Sequence, residues 1–249
     1  MAAGPMRGSA APPAVEFESW QPGPMDSSRR VRLLDGTEKF TDDEGRDVAS
    51  VLDFWSWSSS DLVGNSLRGV LAEFLVGRAL GVDPRSVRVE WDAWDMVLTD
   101  GTTVEVKSAS YWQSWKQSRP SEIRFDVAEH QSWNSETDTF DEEKSRPADV
   151  YVFCVLGFRD NPNLDPLDLS EWDFHVVSGA TIDNVVGNQK SIGLGQLISR
   201  LEPRHASFAG LADAVAAEAE VTRRSRGRKQ RCVSEVDHDA AHAPDQPPR

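Results

Sequence analysis

Cysteine is scarce in this chain of 249 residues: there are two, Cys154 in an apolar run and Cys232 in a polar one. No disulfide is expected from such a pair, and a reducing, cytoplasmic setting is the natural reading. Long apolar runs are also missing. Nothing approaches the ~20 residues of a membrane-spanning helix, and the N-terminus shows no signal-peptide core. Positive charge is short: 27 Lys and Arg against 41 Asp and Glu give a net charge of -14. That excludes a protein that coats nucleic acid by charge alone. It does not exclude an acidic site neutralised by a bound cation. The histidines (His130, His175, His205, His238, His242) are scattered without HExxH or paired spacing, so a zinc site is not expected. Gly193-Leu194-Gly195 is too sparse to cradle phosphates, and no nucleotide cofactor is expected. No GxSxG or Cys/His pairing points to acyl transfer.

What is present is concentrated between Asp95 and Lys107, DMVLTDGTTVEVK. Met96 to Leu98 lead into a turn at Thr99-Asp100-Gly101, and Thr102 to Lys107 lead out, as two strands of a hairpin. Gly101 suits the left-handed third position of a three-residue loop. In that register Asp95 falls opposite Glu105, and Lys107 shares the face of Glu105. Opposed residues have Cβ atoms ~5 Å apart, close enough for two carboxylates to share one divalent cation. Two acids and an ammonium so placed suit metal-assisted hydrolysis of a phosphodiester. The bland alternative is the polar face of an ordinary hairpin. Val104 and Val106 supply a buried face, and Trp91, Trp94, Trp112 and Trp115 make the surroundings too aromatic for open surface. Such charges on a half-buried face would be costly without a cation.

Residues 1–28, rich in Ala, Pro, Gly and Ser, read as disordered. A single domain is expected over 29–221, and a disordered basic and polar tail over 222–249. Val51 to Trp57 opens a helix, with Trp55 and Trp57 as core anchors. Ser60-Asp61 caps a second helix to Leu80, ended by Gly81, whose stripe is Val63, Leu67, Val70, Leu71, Phe74 and Leu75. Glu73, on a side of that helix short of charge, is not expected to face open water. The alternation within Val82 to Glu90 reads as a strand, as do Ser121 to Val127 and WDFHVV within Trp172 to Ile182. Ala148 to Phe158 is apolar throughout and reads as a strand buried on both faces. Helices are expected at Gln189 to Arg200 and Phe208 to Val221. The acidic patch Asp42, Asp43, Glu44 and Asp47 reads as a solvated face, and the acidic run Asp138, Asp141, Glu142 and Glu143 as part of a loop over 128–147.

Asp95, nine intervening residues and Glu105-Val106-Lys107 resemble the D…(D/E)xK signature of the PD-(D/E)XK nuclease superfamily, which includes restriction endonucleases. Trp94 stands where some members have proline. RGVLAEFLVGRALG, around Glu73, resembles bacterial restriction-like proteins of that superfamily. The resemblance implies an α/β restriction-endonuclease-like αβββαβ core: a mixed sheet flanked by helices, with additions at both ends. It further implies that Glu73 serves the metal site from the first core helix. Gln113, six residues past Lys107, matches a glutamine that several such nucleases place near the active site.

The activity so implied is Mg²⁺-dependent endonucleolytic hydrolysis of DNA in restriction, defence or repair, with Mn²⁺ as a substitute. Asp95, Glu105, the Val106 carbonyl and Glu73 are the expected metal ligands, and Lys107 the group that orients or deprotonates the attacking water. Tyr111, Trp112, Trp115, Lys116 and Arg119 are the candidate nucleic-acid contacts, since interleaved aromatic and basic residues can stack on bases and pair with phosphates. Against this, Trp112 and Trp115 could equally be core. Two alternatives remain: an RNA- or junction-selective nuclease, and an inactive nuclease-fold binding module recruited through a protein partner. A homodimer is expected by analogy only.

Overall fold

The structure, a computed structural model, describes residues 32–83, 94–131, 133–134, 139–140 and 143–240. In chain order the first elements are β1 (Lys39–Thr41), β2 (Asp47–Ser50), α1 (Val51–Ser59), α2 (Asn65–Ala79), β3 (Met96–Val97) and β4 (Thr103–Ser110). Three short strands follow, β5 (Arg124–Asp126), β6 (Trp133–Asn134) and β7 (Thr139–Phe140). Then come β8 (Val150–Leu156), β9 (Trp172–Ser178), α3 (Gly179–Val186), β10 (Ser191–Gly193), α4 (Leu194–Leu201), β11 (Arg204–Ala206) and α5 (Leu211–Ala240). No helix among the described residues is long and apolar enough to cross a membrane.

Five strands form one mixed sheet in the order β11-β9-β8-β4-β3. The pair β4 and β8 is parallel; the other neighbours are antiparallel. All seven residues of β8 are buried, because both of its faces are covered. Val150, Val152, Cys154 and Leu156 point to a core shared with Ala72, Leu75 and Val76 of α2 and with Leu211, Val215 and Ala219 of α5. Tyr151, Phe153 and Val155 point to a second core with Phe125, Ile182, Ile192 and Leu197. Each fully buried side chain of this size contributes about 1.5–3 kcal/mol. The fold is thus three layers, with helices on both faces of the sheet. The mixed α/β class matches the expectation, and the unbroken apolar run of β8 is that of a central strand. The chain passes from β4 to β8 through 111–149, where the described residues contain β5, β6 and β7 but no helix.

Several expectations need correcting. Trp57 is 84% exposed and Trp55 37%, so neither anchors a core; only Val51 of α1 is buried. The cap of α2 is Gly64, not Ser60 or Asp61, and its buried side is Arg68, Ala72, Leu75, Val76 and Gly77. Val70 and Phe74, assigned to the apolar stripe, are exposed. The second half of the expected Trp172 to Ile182 strand is instead α3, which Ser178 caps by accepting from the Thr181 N–H at 3.1 Å. β10 occupies the start of the expected helix at Gln189, and α4 begins at Leu194. Thr222–Ala240 is not a disordered tail but continues α5. Thr222 is buried and donates its hydroxyl to the Asp149 carbonyl at 2.7 Å. Arg223 reaches Asp100 at 3.3 Å, and Arg226 pairs with Asp149. The disorder expected for 1–28, the strand expected within Val82 to Glu90 beyond its first two residues, Trp91 and residues 241–249 lie outside the described residues.

Candidate active site

The hairpin sets the geometry. Met96 pairs with Val104 and Val97 with Thr103, and the Leu98 N–H donates to the Thr102 carbonyl at 2.8 Å. The loop is therefore Thr99-Asp100-Gly101, three residues long. Gly101 has φ +83°, in the region glycine enters without steric cost. Asp100 Oδ1 accepts from the Thr102 N–H at 3.0 Å and tightens the turn.

At Asp95 the ladder turns irregular. Its N–H donates to the Val104 carbonyl at 3.1 Å, and its carboxylate Oδ2 accepts from the Val106 N–H at 2.6 Å. The Asp95 side chain thus lies along the β3 edge, beside Glu105. Lys107 donates to Glu105 Oε1 at 2.5 Å, and both side chains are largely shielded, 23% and 20% exposed. These two share a face of β4, as alternation requires. Val104 and Val106 face the other way, into the core with α2.

Asp95 feels this arrangement. Burial, the Glu105 charge and the Glu73 charge raise its pKa from 3.8 to about 7; the Val106 N–H and Lys107 offset part of the rise. Glu73 is half-buried on α2. Its charge therefore reaches Asp95 from the face opposite Glu105 and Lys107. The structure brings Glu73, Asp95, Glu105 and Lys107 into one electrostatic neighbourhood. It does not gather them into a ready-made cage: among the described residues no three Asp, Glu, His or Cys side chains are grouped to hold a metal ion. The geometry gives the reason. Asp95 is engaged by a backbone N–H, Glu105 by Lys107, and Glu73 approaches from the other layer.

Gln113 is not with the carboxylates. Its Oε1 accepts from Arg68 Nη1 at 3.0 Å, its Nε2 donates to the Ser110 carbonyl at 2.8 Å, and its N–H donates to Gln117 Oε1 at 2.5 Å. It ties the loop after β4 to α2.

The candidate nucleic-acid residues divide. Tyr111 packs against the second core, and Trp112 donates its indole N–H to the Phe158 carbonyl at 3.3 Å, so both anchor the loop. Trp115 is 55% exposed on the wall of a groove of about 430 Å³, with Asn65, Arg68, Ser108, Gln113 and Arg124. Lys116 and Arg119 line a second groove of about 520 Å³, with Arg159. The two share Ser121 and Glu122 and so adjoin. Five basic side chains on adjoining grooves make a basic island on a chain of net charge -14. Sequence reasoning missed Arg68, Ser108, Arg124 and Arg159. Arg68 alone left a signal, as the charged member of the helical series 68, 72, 75, 76.

No protein-family model matches this chain, and no curated protein matches it in sequence.

Proposed function

We propose that the protein is a divalent-cation-dependent endonuclease acting on DNA, of restriction, defence or repair type, built on a restriction-endonuclease-like αβββαβ core. The observation that carries this reading is the Asp95 carboxylate. It lies beside Glu105 and Lys107, with a proton affinity raised by burial and by two further carboxylates. Burial and the neighbouring Glu105 make the ionised form of Asp95 costly at this half-buried edge, a cost that a hard cation would offset.

Mg²⁺ or Mn²⁺ would be held by Asp95, Glu105, the Val106 carbonyl and Glu73, oxygen donors of the kind such ions take, though not gathered into a cage. When bound, such an ion supplies Lewis acidity to a phosphoryl oxygen and acidifies water. The remaining chemistry belongs to the chain. Lys107, which donates to Glu105, would orient the attacking water and offset charge building on the phosphoryl oxygens. The Val106 N–H fixes the Asp95 carboxylate, so one ligand is held in place beforehand. Trp115 offers a stacking face, and Lys116, Arg119 and Arg159 offer phosphate contacts along the adjoining grooves.

A second reading has its own support. The closed Glu105–Lys107 pair and the net charge of -14 suit an inactive binding module that works through a protein partner. Nicking of supercoiled plasmid separates the two. The nuclease reading expects Mg²⁺- or Mn²⁺-dependent nicking by the wild type and none by Asp95→Ala. Calorimetry that detects no metal binding to the folded wild type would remove the nuclease reading in favour of the module. RNA and branched-junction substrates in the same assay decide substrate class.

A further inference from the structure

Among the described residues Arg68 is a buried cation without a counter-ion. The residue is 5% exposed, yet its partners are neutral oxygens: the Val63 carbonyl at 3.0 Å, Gln113 Oε1 at 3.0 Å and Asn65 Oδ1 at 2.9 Å. These occupy three of the five N–H donors of a guanidinium. The buried Nε has no acceptor among the described residues. One residue beyond Lys107 on β4, the hydroxyl of Ser108 is likewise buried and without a partner. Both side chains line the 430 Å³ groove, together with Arg124 and the exposed Trp115. A buried charge is costly unless something of opposite charge answers it, and an unpartnered buried donor adds to the cost. Neither feature serves the sheet or the cores. Both are met by one kind of ligand, an anion rich in acceptor oxygens.

We propose that Arg68, Ser108 and Gln113 form a phosphate subsite that grips a nucleic-acid backbone phosphate. The inference rests on the nuclease reading for the identity of its ligand, though not for its geometry. Gln113 orients the guanidinium by accepting from Nη1, and is a positioning residue. The planar fork of Arg68 suits phosphate oxygens, and Ser108 supplies a hydroxyl donor. Trp115, on the same groove, stacks on the base attached there.

The test is equilibrium binding of fluorescein-labelled 12-mer DNA by anisotropy in EDTA, where no cleavage occurs. Ser108→Ala is the leading variant: among the described residues its hydroxyl makes no hydrogen bond, so its loss leaves the fold intact. The expected result is affinity reduced about 5- to 20-fold by Ser108→Ala and at least 10-fold by Arg68→Met, as for hydrogen bonds to a charged ligand. Comparing 5′-phosphorylated, 3′-phosphorylated and unphosphorylated DNA separates two sources of the phosphate. A Ser108→Ala effect confined to one phosphorylated end assigns a terminal phosphate; an equal effect on all three assigns an internal phosphodiester. Wild-type affinity in Ser108→Ala for all three overturns the subsite, whether or not Arg68→Met folds. Binding lost in these variants by a wild type that never nicks DNA keeps the subsite and removes the nuclease reading. Metal-dependent nicking with unaltered binding in both variants does the reverse.

Discussion

Replacing Asp95 by Asn should stabilise the metal-free protein while abolishing its activity. The folded state holds the Asp95 pKa at about 7, against 3.8 for the ordinary carboxyl. Between those values the unfolded chain is ionised while the folded chain keeps its proton. Stability therefore falls as pH rises from about 4 to 7 and is level above that. A rise from 3.8 to about 7, at about 1.4 kcal/mol per pH unit, sets an upper bound of about 4 kcal/mol. Asn removes the charge and keeps an oxygen for the Val106 N–H. Allowing about 1 kcal/mol for an imperfectly paired amide, the expected gain at pH 8 in EDTA is about 2–4 kcal/mol. For a domain of this size that is about 5–15 °C in the melting temperature. At pH 4 the gain should vanish. Saturating Mg²⁺ should reverse the order, raising the wild type by mass action and leaving Asp95→Asn unmoved. Thermal melts at both pH values, with and without Mg²⁺, read all of this. A variant no more stable than wild type at pH 8, or equally stabilised at pH 4, refutes the argument that Asp95 is held against its preference by burial and by Glu105 and Glu73.

Lys107→Ala should lose nicking activity by at least 100-fold with an unchanged circular-dichroism spectrum; full cleavage by the folded variant removes Lys107 from the mechanism. Gly179→Ala should cost about 1–3 kcal/mol in denaturant unfolding, because a Cβ there would lie 2.3 Å from the backbone oxygen of Ala148 at the α3–β8 junction. A melt at the wild-type temperature would show that the junction gives way freely. Truncation after Val221 should lower stability by about 1–3 kcal/mol, since it removes the buried Thr222 hydroxyl bond to Asp149 and the ion pairs of Arg223 and Arg226. An unchanged melting temperature would mean that this part of α5 holds nothing.

Local chemistry is what the sequence by itself determined. The hairpin register followed from where glycine could supply a left-handed residue, and it put Asp95 beside Glu105 and Lys107 before any fold was known. The central place of β8 followed from seven consecutive positions that tolerate no water on either face. Glu73 stood out because its side of α2 carried little charge, and its half-buried placement agrees.

Tertiary structure decided what depends on how elements lie over one another. The buried side of α2 is rotated from the stripe its apolar residues suggested: β4 selects the small Ala72 and tolerates Arg68, leaving Phe74 outside. Helix period alone cannot choose between two such faces when apolar residues occupy both. The residues after Ser178 form α3 because Ser178 caps a helix there, although their β-branched content also suits a strand. Thr222 and the arginines after it look like a solvated tail until Asp100 and Asp149, more than 70 residues earlier, supply their partners. Arg68 became visible as an uncompensated cation only once its hydrogen-bond partners among the described residues were seen to be Val63, Asn65 and Gln113. Sequence fixes which groups a chain carries and their spacing along one strand or turn. Which charges are answered, and which are not, is settled by contacts between residues that the sequence keeps far apart.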